Sequence, residues 1–250
     1  MLLNFLCAVL LSAQTMQTAR VPILMYHSFS AGVPENEWQV SAGRLEEHLA
    51  ALDQAGYVAV DLADLSDYVA GRTALPENCV VLTSDDGYAG VIEIALPLCE
   101  QYGMKLSCAV IGSAVTKRTH FDPAGCSSDI LELTSHSFDL HRLTDGMSAI
   151  ASAENLPELL TDDTAAMNER FGTCDPMMRR AFTYPYGVYT ADSDGILREL
   201  GFEMTLTCDP GCSEITCGNP DSLFGLPRVT VTESLTGEEL LHLLKTLETP

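Results

Sequence analysis

The chain has 250 residues, 46% of them hydrophobic, which suits a single large α/β domain with a sizeable core. Its 35 acidic and 13 basic side chains leave a net charge of −22. A surface of that sign excludes nucleic acid as a partner, because a phosphate backbone has to be neutralised by Lys or Arg; the acidity serves solubility, or else a neutral or cationic partner.

Residues 1–20 open on the apolar run MLLNFLCAVLLSA. That run has the length of a signal-peptide core and is short for a bilayer span. It predicts a secretory signal peptide or an N-terminal membrane anchor, and so a secreted or cell-surface protein. A buried N-terminal helix is the alternative, since no Lys or Arg precedes the run. No internal repeat or long linker divides the remainder, so residues 21–250 are predicted to form one domain.

Val21–Met25 reads as a strand. Ser41 is placed to cap a helix through Gln54, with Leu45, Leu49 and Leu52 on one face and Gly56 ending it. Tyr57–Val60 and the dense apolar run Cys79–Thr83 follow as strands. Tyr88–Gln101 is predicted as a helix kinked at Pro97. Lys105–Ile111 and Ile130–Thr134 are strands, and Met147–Arg170 is a helix broken at Pro157. Ala181–Tyr184 is a strand, and Ala191–Leu200 a helix stopped by Gly201. Glu203–Thr207 and Phe224–Val229 are the last strands. Thr236, with Glu239 three residues on, marks a capping box for a final helix to Leu247. Repeated strand-then-helix order implies a parallel sheet, and this many units in one domain favour a closed barrel. Of the nine cysteines, Cys79, Cys99 and Cys108 lie in apolar runs and read as core residues. Cys208, Cys212 and Cys217 lack the paired spacing of a zinc site and read as an incidental disulfide or free thiols.

The polar residues of interest fall where predicted strands end, the place where such barrels carry their chemistry. Asp85 and Asp86 follow the Cys79 strand, and adjacent carboxylates cannot share a direction if strand geometry persists. One could hold a metal while the other faces substrate; an ordinary turn with a helix cap is the competing reading. His136 and His141 are five residues apart, so no helix face holds both. They could converge from a strand end and its loop, and with one carboxylate they make a three-ligand site suited to a catalytic Zn²⁺ or similar divalent ion. In Tyr184-Pro185-Tyr186-Gly187 a tight turn could aim a backbone N–H at a developing oxyanion. His27, just past the first strand, could act as an acid or base near neutral pH.

Taken in order, Tyr26-His27, Asp85-Asp86-Gly87-Tyr88, Ser135-His136-Ser137-Phe138-Asp139-Leu140-His141 and Tyr184-Pro185-Tyr186-Gly187 resemble the polysaccharide deacetylases of carbohydrate esterase family four (the NodB-homology domain). The likeness is greatest to the poly-N-acetylglucosamine deacetylase branch and extends from Val21 to Arg228. It implies a distorted (β/α) barrel of about seven parallel strands. It also implies metal-dependent release of acetate from the N-acetylated sugars of a cell-wall or extracellular polysaccharide. By the same resemblance Asp85 is the catalytic base, and Asp86, His136 and His141 hold one divalent ion, Zn foremost, with Co or Ni as alternatives. Tyr186, with Pro185, contributes to the oxyanion and substrate site, and His27 is the acid. The late family element Leu-x-His has a string match at Leu240-Leu241-His242, but that string sits in an amphipathic helix. Ser84 replaces a customary phenylalanine, and Thr183 replaces an arginine that orients the base in many members. Arg228 could approach Asp85 in its place or lie on the surface. The family's later tryptophan motif is absent. An O-acetyl esterase of the xylan type and a non-catalytic glycan-binding barrel are the rival readings.

Overall fold

The computed structural model describes residues 17–248; the predicted leader falls almost wholly outside them. Among the described residues no helix is long and apolar enough to cross a membrane.

Seven strands make the frame: β1 (Ile23–Tyr26), β2 (Cys79–Ser84), β3 (Leu106–Val110), β4 (Leu131–Ser135), β5 (Ala181–Thr183), β6 (Met204–Pro210) and β7 (Leu226–Thr230). Each is parallel to the next, and β7 and β2 both pair with β1, so the sheet closes into a barrel in chain order. The barrel is distorted in two places. Between β4 and β5 a single pair, Phe182 with Ser135, is in register. Between β6 and β7 the register shifts between Leu206 and Pro210. Val58–Val60 adds a further parallel strand beside the first half of β2, outside the ring.

Alternation along β2 sorts its side chains between two layers. Leu82 packs outward with Leu45, Leu49 and Leu52 of helix α1 (Ala42–Gln54). Val81 packs instead with Ile23, Leu206 and Leu226 of the other strands, and with Leu62 and Leu65 of helix α2 (Leu62–Val69). Continued by two residues at a time, the Val81 row runs through Thr83 to Asp85, which the strand thus delivers to the mouth of the barrel.

Several local predictions hold in detail. The Ser41 side chain accepts the Arg44 N–H at the start of α1. Thr236 and Glu239 bond reciprocally ahead of the last helix, Gly237–Glu248. One prediction is refined and one corrected. The helix that carries Pro97 is continuous but not α-helical throughout: a π-helical stretch over Val91–Ala95 runs directly into the α-helix Leu96–Tyr102, with Pro97 in its first turn. Pro157 does not break a helix but opens one, Leu156–Phe171, behind an Asn155 cap. The residues before it include a small hairpin, Leu143–Thr144 with Met147–Ser148. Among the described residues no two cysteines are joined in a disulfide, and Cys79, Cys99 and Cys108 are buried as expected.

Candidate active site

The C-terminal ends of the strands enclose a cleft of about 570 Å³. Its walls include His27, Trp38, Asp85, Asp86, His136 and His141. Residues more than a hundred positions apart are thereby brought to one rim.

Asp85 and Asp86 diverge as strand geometry requires. Asp85 continues β2, its N–H bonded to the Tyr26 carbonyl (3.0 Å). Asp86 then turns into the left-handed region (φ 76°), followed by Gly87 at φ 79°. Ser137 (φ 67°) and Tyr186 (φ 58°) adopt the same rare conformation. Of the four non-glycine residues with positive φ among those described, these three belong to the site, and such strain persists where surrounding structure holds it.

Asp86 Oδ1 lies 3.4 Å from Nε2 of both His136 and His141. It is buried and has no hydrogen-bond partner. His136 Nδ1 lies 2.8 Å from the Thr183 carbonyl oxygen, which can only accept, so Nδ1 carries a proton and Nε2 is the ring nitrogen turned toward Asp86. Burial lowers the His141 pKa; burial acts in the same sense on His136, but there the Asp86 carboxylate outweighs it and raises the pKa. Two imidazole nitrogens and one orphaned carboxylate oxygen, all within 4.8 Å of one another, are a donor set that fits a divalent cation, whose binding would displace any proton from those nitrogens.

The loop that joins the two histidines is held from both sides. Gly112 N–H bonds the Ser137 carbonyl (3.1 Å) and Ser113 N–H the Phe138 carbonyl (2.7 Å). The Asp163 carboxylate accepts the N–H groups of Phe138 (2.7 Å) and Asp139 (2.8 Å). Asp163, on the helix that follows, carried no motif signal; a carboxylate on the apolar face of a helix was its one trace.

Arg228 is wholly buried rather than on the surface. Its guanidinium meets Asp85 as a fork, Nη1 to Oδ1 at 2.8 Å and Nη2 to Oδ2 at 2.7 Å. Nε donates to the Thr207 carbonyl (2.7 Å) and Nη1 also reaches Thr83 Oγ1 (3.2 Å). Burial by itself would raise the Asp85 pKa, but Arg228 outweighs it and holds the carboxyl far below its ordinary range. Ser84 likewise has a defined contact: its hydroxyl donates to the His27 carbonyl (2.7 Å), tying β2 to the end of β1.

Tyr186 is 42% exposed, and its ring lies over His141 with centroids 4.2 Å apart. Pro185 is buried beneath the same turn and does not line the cleft. Gly187 lets the turn approach β6, since a Cβ there would lie 2.5 Å from Cβ of Cys208. His27 packs its ring against Trp38, with centroids 5.1 Å apart. Its Nδ1 is buried without a partner. His242 is exposed on the outer face of the last helix, away from the cleft. Trp38, Asn36 and Cys208 also line the cleft, and none was predicted to belong to the site.

A parallel barrel with this constellation on its rim defines a class of hydrolases, and comparison with known proteins agrees. The sequence profile of the polysaccharide deacetylase family matches residues 72–205, more than half of the chain, and the chain belongs to that family. The Bacillus subtilis (strain 168) protein YxkH, described as a candidate polysaccharide deacetylase, is 26% identical over 227 residues, covering 90% of this chain and 76% of its own. The poly-beta-1,6-N-acetyl-D-glucosamine N-deacetylase of Escherichia coli (strain K12) is 24% identical over 249 residues. That match covers 84% of this chain but 36% of the relative, so the chain spans about a third of its length. Among solved structures, IcaB from Ammonifex degensii superposes with a TM-score of 0.72 at 25% identity, over 91% of this chain and 97% of that one.

Proposed function

We propose that this polysaccharide deacetylase hydrolyses the N-acetyl groups of an extracellular or cell-wall polysaccharide built from N-acetylated sugars, releasing acetate and leaving a sugar amine. The observation that carries the reading is the pairing, in one cleft, of the Asp86–His136–His141 donor set with an arginine-locked Asp85. The Escherichia coli relative, named for N-deacetylation of poly-beta-1,6-N-acetyl-D-glucosamine, supports an amide-linked substrate.

A divalent ion held by Asp86, His136 and His141, Zn(II) foremost, would polarise the acetyl carbonyl and acidify water beside it. Asp85, kept ionised by Arg228, takes the proton of the attacking water. The Tyr186 N–H faces the oxygen that gains charge as the carbon becomes tetrahedral. His27 gives a proton to the departing nitrogen. The C–O bond forms, the C–N bond breaks, and the products are acetate and an amine. The predicted N-terminal leader would place this reaction outside the cell.

The test is acetate release from oligomers of β-1,6-linked N-acetylglucosamine and from O-acetylated xylan fragments, with and without a chelator. Acetate is expected from the N-acetylated oligomers, lost on chelation and restored by Zn(II). Release from the xylan fragments alone would overturn the assignment. Between the two candidate acids, His27→Ala is expected to slow the reaction by about 10²-fold or more at unchanged metal content, the scale of general-acid catalysis. His242→Ala should leave the rate within about twofold, as expected of a surface substitution. The opposite ranking in a steady-state assay at saturating metal moves the acid to the C-terminal helix.

A further inference from the structure

The absence of the family's later tryptophan motif leaves open what grips the sugar. The chain's single tryptophan, Trp38, lies at the cleft instead. It ends the loop between the short paired strands Ser28–Ser30 and Gln39–Ser41. The loop is braced locally: Trp38 N–H bonds Asn36 Oδ1 (3.0 Å), and Ser28 N–H bonds the Trp38 carbonyl (3.3 Å). The indole is 43% exposed, and beneath it lies His27.

Tyr186 repeats the arrangement. Its ring is similarly exposed and lies over His141. Trp38 follows β1 and Tyr186 follows β5. Around the closed ring these strands are separated by β6 and β7 one way and by β2 to β4 the other. Trp38, packed on His27, and Tyr186, packed on His141, thus reach the same cleft from different parts of the ring, and Asp85 and Asp86 line that cleft with them. A hexopyranose ring has a face of C–H groups, and the negative face of an aromatic ring attracts their positive edge. Neither ring is needed for the core, and each is held before substrate arrives.

We infer that Trp38 and Tyr186 form a two-sided aromatic clamp that seats the pyranose ring bearing the acetamide. This rests on the proposed deacetylation for its choice of substrate. It assigns to a loop near the N-terminus the recognition of the sugar. The clamp reads the ring rather than the acetyl group, so it separates sugar substrates from small acetyl compounds.

Because Trp38 is the only tryptophan, its fluorescence reports on the clamp without any need for turnover. Titration of the chelated full chain with a pentamer of β-1,6-linked N-acetylglucosamine is expected to shift the emission saturably, whereas acetate alone does not. Tyr186→Asn, whose side chain tolerates the left-handed backbone, should weaken that response about tenfold. Trp38→Ala should lower kcat/KM for the pentamer by about tenfold, the scale of one aromatic contact. The loss should be clearly larger for the pentamer than for 4-nitrophenyl acetate, and Trp38→Phe should recover most of it. If Trp38→Ala slows both substrates equally, the indole acts through His27 or through folding, and the clamp is wrong. If the pentamer is deacetylated while the emission stays fixed, the clamp falls and the activity stands. If the pentamer shifts the emission but releases no acetate in the metal-loaded protein, the clamp stands and the activity falls. If it does neither, both fall.

Discussion

Arg228→Met is expected to destabilise the protein by about 3–5 kcal/mol and to abolish deacetylation. The side chain it removes is the largest that is fully buried, and both of its terminal nitrogens are committed to Asp85. Removing one partner of such a pair leaves a buried charge without compensation, and that penalty, rather than the net worth of the pair, sets the magnitude. For a chain of this size the loss corresponds to a fall in Tm on the order of 10 °C. Asp85 has its pKa lowered by folding. Its contribution to stability is therefore present above the ordinary Asp pKa of about 3.9 and is lost as pH falls through the lower folded value. Thermal unfolding at pH 7 and at pH 3 should show the gap between wild type and Arg228→Met narrowing with acid. The double variant Asp85→Asn/Arg228→Met is expected to be less destabilised than the sum of its parts, since it removes both charges. A Tm for Arg228→Met within about 2 °C of wild type at pH 7 is incompatible with the buried fork.

The second large effect separates two neighbouring carboxylates. Asp85→Asn is expected to retain metal and to lose turnover by about 10²-fold or more, because the amide keeps the shape but cannot take a proton. Asp86→Asn is expected to weaken metal binding, because the orphaned oxygen that faces both imidazoles becomes part of a neutral amide. Metal content by elemental analysis, read beside the rate of acetate release, distinguishes the two. His136→Ala should lose both metal and activity. Equal loss of metal in Asp85→Asn and Asp86→Asn would show that the division of labour is wrong. Since Asp85→Asn also leaves Arg228 short of a full counter-charge, its folding should be checked by thermal unfolding before the rate is interpreted.

The barrel was legible because hydrophobic runs of strand length alternate with helical periodicity along nearly the whole chain, and a closed parallel sheet is how such a pattern buries both faces of its strands. Motif residues were legible where the chemistry demands particular side chains at strand ends: Asp85-Asp86, His136 with His141, and the Tyr184–Gly187 turn. Caps such as Ser41 and the Thr236–Glu239 box were legible because their partners lie within one helical turn.

Pro157 was misjudged because a proline in a helical pattern reads alike whether it breaks a helix or opens one. Which occurs depends on what the preceding turn does. Arg228 could be named as a partner for Asp85, but its complete burial and forked geometry depend on β7 closing against β1. Trp38, Asp163 and the Thr183 carbonyl gave no usable signal, since an isolated aromatic, a helical acid and a backbone oxygen become part of a site only through their neighbours.

The sequence by itself determined the order of the barrel strands and of most helices between them (Leu62–Val69 was not predicted), the capping of several helices and the residue types available at each strand end. Tertiary structure alone decided which of those ends meet. Local hydrogen bonding and hydrophobic periodicity act over a few residues. The ion pair of Asp85 with Arg228, whose members lie 143 residues apart, the meeting of Asp86 with two histidines and the gathering of Trp38 and Tyr186 into one cleft each depend on closure of the ring.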